Sequence, residues 1–129
     1  HGLIKKRGIE NKVFLLGYKK NIYSYMQKSS VFVLSSLWEE VGFVIVEAAL
    51  CNSFVISSNC PNGPKEFLDN GKRGILFESN QSKALFNSLK NFSKMDKNKI
   101  FENKLRLKKE AKKYTIFRHY IELNKILEL

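Results

Sequence analysis

The amino-acid sequence predicts an α/β fold: a Rossmann-like parallel sheet in three layers, with helices on both faces. Three observations predict it. Four short apolar runs alternate with segments of helical periodicity over residues 13–90. Each run is apolar at every position, not at alternate ones, as expected of strands covered on two faces. The length of 129 residues, with 43% hydrophobic and 27% charged side chains, fits one domain with a modest core.

The elements follow in order. VFLL at residues 13–16 is the first run and Gly17 stops it, as for a buried strand. Asn21 is placed to cap a helix to about Lys28, with Ile22, Tyr25 and Met26 on one face. VFVL at 31–34 is the second strand and leads into Ser35-Ser36. Residues 43–50 read as a helix that is almost wholly apolar. FVI at 54–56 is the third strand, running out into Ser57-Ser58-Asn59. The loop Cys60-Pro61-Asn62-Gly63 precedes Pro64, which suits the first position of a short helix. Asp69-Asn70-Gly71 ends that helix, and GILF at 74–77 is the fourth strand. Ser82 is expected to cap a helix whose core face is Leu85, Phe86 and Leu89.

Beyond residue 90 the pattern is helical only. Ile100, Leu105 and Leu107 punctuate a basic stretch. Tyr114, Phe117, Tyr120, Ile121, Leu123 and Ile126 then form an apolar stripe on a last helix, expected to pack on its own domain, with docking on a domain outside this chain as the alternative. The reading is a single domain over 1–129, with an α/β core over 9–90 and basic C-terminal helices over 91–129.

Composition narrows the function classes. No apolar run approaches the roughly 20 residues that span a bilayer. His1-Gly2-Leu3 carries neither an initiating Met nor a signal-peptide pattern, so the chain reads as a piece of a longer protein. Two cysteines, Cys51 and Cys60, make neither a disulfide framework nor a metal site, which suits a cytoplasmic location. The net charge of +11 is uneven. Residues 1–30 carry seven basic and one acidic side chain, residues 31–82 three and six, and residues 83–129 thirteen and five. A nucleic-acid surface gathers Lys and Arg where it works. Here the most unusual motif falls in the acidic block, which favours a small ligand. A basic, non-catalytic module for nucleic acid or an anionic membrane is the alternative.

That motif is WEEVGFVIVEAAL, residues 38–50, with Glu39 and Glu47 eight positions apart around Gly42. In an open parallel sheet, ligands collect where strand ends lead into helix N-termini. The first helical turn, about Gly42 to Ile45, offers free N–H groups and a positive dipole end to a phosphate. Glu39, before the helix, and Glu47, about one turn inside it, can accept hydrogen bonds from hydroxyls. A ligand with both phosphate and sugar fits that pattern, and a nucleotide sugar has both.

Four stretches carry a resemblance. VFLLGYKKN (13–21), SSVFVLSSLWEEVGFVIVEAAL (29–50), FVISSNCPNGPKEFLDNG (54–71) and RGILF (73–77) resemble, in order and spacing, the C-terminal donor-binding domain of GT-B glycosyltransferases. The type is the retaining family-four, or "glycosyl transferases group 1", enzyme that builds bacterial polysaccharide and lipopolysaccharide. The likeness covers roughly residues 9–90 and departs at Glu40-Val41, where the family often has Gly-Phe.

The resemblance implies specific roles. Glu47 would bond the ribose hydroxyls, and Glu39 the donor sugar, with Gly42 and Phe43 at the sugar's edge. The amides of Gly42, Phe43 and Val44 would hold the diphosphate. Gly17, Tyr18 and Lys19 would border the nucleobase, and Gly63 and Pro64 belong to a loop near the pocket. The donor would be UDP-linked ahead of GDP-linked, with no cofactor and no metal. No residue here is assigned as catalytic. The acceptor-binding N-terminal domain and a basic diphosphate pair would lie outside this chain. The resemblance also implies a lipid-linked or polysaccharide acceptor and peripheral contact with the cytoplasmic face of the inner membrane, without nucleic acid.

Overall fold

The computed structural model of the chain describes residues 2–127. Its elements are α1 (Gly2–Lys6), α2 (Tyr23–Lys28), β1 (Val31–Leu34), α3 (Phe43–Leu50), β2 (Phe54–Ser58), α4 (Pro64–Phe67), β3 (Ile75–Phe77), α5 (Ser82–Ser93), α6 (Lys97–Ala111) and α7 (Ile116–Leu127). A 3-10 turn, Lys112–Tyr114, joins α6 to α7.

The strands lie in the order β1-β2-β3 and pair in parallel, with Val31 opposite Phe54 and Ile56 opposite Ile75. Because side chains alternate across a strand, the sheet has two apolar faces. Phe32, Leu34, Val55 and Leu76 meet α2, α3, α4 and α6 through Met26, Ile45, Ala49, Phe67 and Leu107. Val31, Val33, Phe54, Ile56 and Ile75 meet α5 and the start of α6 through Leu85, Phe92 and Ile100. The Phe54 and Phe92 rings are 4.9 Å apart. The three-layer arrangement is therefore the expected one, built on three strands.

Four expectations need correction. Residues 13–16 form no strand: Phe14 is 71% exposed and no ladder reaches them. A strand needs a neighbour for its N–H and C=O groups, and among the described residues β1 pairs only with β2. The packed core draws on α2 through α6, with Met26 of α2 and Leu107 and Ala111 of α6 all buried in it. Ser82 is the first residue of α5 and not its cap; Gln81 holds that place without a side-chain bond, after a turn with Asn80 at φ 59°. Phe92 docking on Phe54 selects the stripe Leu85, Ser88, Phe92, so Phe86 and Leu89 turn outward.

The fourth correction concerns α7. None of its described residues is buried, and its apolar stripe does not pack on this domain. Thr115, extended at ψ 149°, separates the 3-10 turn from α7. Asp69, Asn70 and Gly71 do end α4, all three with positive φ.

Candidate functional site

The carboxyl ends of β1, β2 and β3 meet the N-terminus of α3, and hydroxyl groups knit them together. Ser58 Oγ, at the end of β2, donates to the Ser36 carbonyl at 2.6 Å. Ser79 Oγ reaches the same carbonyl at 3.5 Å. Asn59 accepts from the Ser79 amide at 2.8 Å and donates to Glu78 at 3.1 Å. Held in this way, Ser36 donates its own hydroxyl to Glu39 Oε1 at 2.6 Å. Glu39 is half-buried with one oxygen engaged, so its other oxygen is available to a ligand hydroxyl.

Gly42 takes φ 69° immediately before α3, a left-handed conformation that disfavours any residue with a Cβ. Its missing Cβ would meet Ile45 and Pro64 at ordinary contact distance. The backbone angle by itself calls for a glycine. Among the described residues, the amides of Gly42, Phe43 and Val44 donate to no protein acceptor, whereas Ile45 already donates to the Gly42 carbonyl at 2.9 Å. Three free donors and the positive end of α3 therefore stand beside Glu39.

Glu47 lies one turn further along α3, half-buried, on the same side as Val44. Tyr23, the first residue of α2, donates its hydroxyl to Glu47 Oε1 at 3.3 Å. The neighbouring carboxylate, and the bond to it, raise the Tyr23 hydroxyl above the usual phenol range.

The remaining candidates divide. Gly63, at φ 45°, packs so closely on the motif loop that a Cβ there would collide with the Val41 carbonyl. Pro64 is buried beneath Gly42. These two buttress the loop from below. Gly17 and Lys19 line an apolar cavity of about 260 Å³ together with Val44, Met26 and Phe32. Tyr18 is 92% exposed and does not line it. The structure therefore brings Glu39, Gly42, Phe43, Val44 and Glu47 together, sets Gly17 and Lys19 next to Val44, and leaves Tyr18 in solvent. Sequence reasoning missed Tyr23 and Ser58. Ser58 had a signal, a polar run directly at a strand end; Tyr23 had none.

The family description "Glycosyl transferases group 1" matches residues 1–114. The chain belongs to this glycosyltransferase family. It is 32% identical over 110 residues to the Campylobacter jejuni N-acetylgalactosamine-N,N'-diacetylbacillosaminyl-diphospho-undecaprenol 4-alpha-N-acetylgalactosaminyltransferase, covering 84% of this chain and 30% of the relative. It is 35% identical over 81 residues to an Escherichia coli UDP-Gal:alpha-D-GlcNAc-diphosphoundecaprenol alpha-1,3-galactosyltransferase, covering 63% and 21%. Among solved structures, Anabaena HepE in complex with UDP and glucose superposes with a TM-score of 0.83 at 26% identity, over 100% of this chain and 35% of the other. A Rickettsia africae glycosyltransferase has the same fold, with a TM-score of 0.83 at 22% identity over 98% and 35%. The glycosyltransferase chain thus spans about a third or less of the length of these relatives, and its fold is part of a GT-B fold.

Proposed function

We propose that this chain is the donor-binding part of a retaining, metal-independent glycosyltransferase that takes its sugar from a UDP-linked donor. One observation carries the reading: Glu39 and Glu47, each held by a hydroxyl donor, flank the free amides at the start of α3. Glu47 accepts from the ribose hydroxyls, and Glu39 from the donor sugar. The Gly42, Phe43 and Val44 amides and the α3 dipole hold the diphosphate, with Phe43 and Gly42 at the edge of the sugar. The cavity shared by Gly17, Lys19 and Val44 takes the base. A UDP-linked donor is favoured over a GDP-linked one because the Anabaena structure binds UDP.

The chemistry follows from this arrangement. Binding fixes the donor with its anomeric carbon exposed, and the amides stabilise the charge that develops on the departing diphosphate. The two carboxylates orient; they do not act as the nucleophile and acid of a hydrolase, which must flank the bond being broken. The rest of the protein supplies the acceptor side in an N-terminal domain. Relatives named for diphospho-undecaprenol acceptors support a lipid-linked glycan as acceptor, and hence peripheral contact with the cytoplasmic face of the inner membrane. No helix among the described residues is long and apolar enough to cross a membrane.

The test is a calorimetric titration of the full-length protein with UDP, GDP and ADP, repeated on Glu47→Ala. The expected result is saturable binding of UDP, weakened at least about 10-fold by the substitution, since a hydrogen-bonded charged group is lost. Equal affinity of the variant and the parent would overturn the ribose assignment.

A further inference from the structure

We infer that Tyr23 is a positioning residue for the nucleotide: by donating to one oxygen of Glu47 it turns the other toward the ribose diol. The inference rests on the ribose role of Glu47 and extends it to a residue outside the two-glutamate motif and outside the four stretches that carry the family likeness.

A glutamate side chain is among the most mobile, and holding it in one rotamer for a ligand carries an entropic cost. In this site the only protein group that hydrogen-bonds the Glu47 carboxylate, among the described residues, is the Tyr23 hydroxyl. The donor is itself well placed. Tyr23 opens α2, whose Met26 is buried in the core against α3, and Ser53 donates to the Met26 carbonyl to fasten the helix from below. A phenol with two side-chain torsions on an anchored helix is a stiffer support than the glutamate it steadies. The carboxylate has two oxygens and about four acceptor sites, so one bond from Tyr23 leaves room for a diol. At 3.3 Å the bond is long for an O–H donor. The elevated phenol ionisation follows from the same pairing.

The experiment is a double-mutant cycle in the full-length protein, with Tyr23→Phe, Glu47→Ala and the double variant. UDP and 2′,3′-dideoxy-UDP are titrated by calorimetry. Tyr23→Phe removes only the hydroxyl of a residue that is 47% exposed, and the melting temperature monitors the fold. The expected outcome is a loss of UDP affinity of about 3- to 10-fold, the range of one hydrogen bond. That loss disappears with the dideoxy nucleotide and with Glu47 already removed. Wild-type UDP affinity in Tyr23→Phe, an equal loss for both nucleotides, or a loss that adds to that of Glu47→Ala would each overturn the inference while leaving Glu47's role intact. Wild-type affinity in Glu47→Ala would instead remove the ribose reading, and the role of Tyr23 with it.

Discussion

Residues 13–16 read VFLL and residues 31–34 read VFVL, differing at one position, yet the two have opposite fates. The second is β1, in register with residues 54–57 of β2. The first pairs with nothing among the described residues, and its Phe14 and Leu15 are more than half exposed. The contrast shows that an apolar quartet specifies a strand only where another backbone satisfies its N–H and C=O groups. The two runs also bear differently on the strand-end site. Glu39 and α3 hang from the paired strands, whereas Gly17 and Lys19 follow the unpaired run.

Substitutions can break or sharpen this contrast. The largest effect is expected at β2, where Phe54→Ala removes a ring buried on the sheet and stacked near Phe92. It should lower the unfolding free energy of this chain by about 3–5 kcal/mol in urea titration. Gly63→Ala comes next, because a Cβ there meets the Val41 backbone at a positive φ. It should cost roughly 1–3 kcal/mol, and sugar-nucleotide affinity of the full-length protein should fall with it because the Glu39 loop shifts. Ser36→Ala deletes the donor to Glu39 and should cost about 1 kcal/mol of UDP-sugar affinity, with little change for UDP alone. Phe14→Ala should change the stability of this chain by no more than about 0.5 kcal/mol. In the full-length protein a loss of several times that value would show that the run finds its partner outside residues 2–127.

Much of this was legible in the sequence. Continuous apolar runs marked β1, β2 and β3, because each meets helices on both faces and carries no alternation. Asp69-Asn70-Gly71 marked a helix end because those residues tolerate positive φ. The spacing of Glu39 and Glu47 around a glycine set Glu39 before the start of α3 and Glu47 one turn inside it, as the structure has them. What stayed hidden depends on tertiary context. Nothing in VFLL says whether a neighbour lies beside it. The inward stripe of α5 was set by Phe92 meeting Phe54, a contact 38 positions apart in the chain. The apolar stripe of α7 could be read, but not that none of its described residues is buried. Tyr23 was out of reach because its partner lies 24 residues away, on another helix.

The proposed site divides its labour, with Glu47 on the ribose and Glu39 on the sugar. It is tested most directly by titrating Glu39→Ala and Glu47→Ala full-length variants with UDP. The same is done with whichever of UDP-glucose, UDP-galactose and UDP-N-acetylglucosamine binds the parent best. The account predicts that Glu47→Ala weakens both ligands by the same factor, whereas Glu39→Ala weakens only the sugar nucleotide. Equal losses for UDP and the sugar nucleotide in Glu39→Ala, or no loss of either in Glu47→Ala, would contradict it.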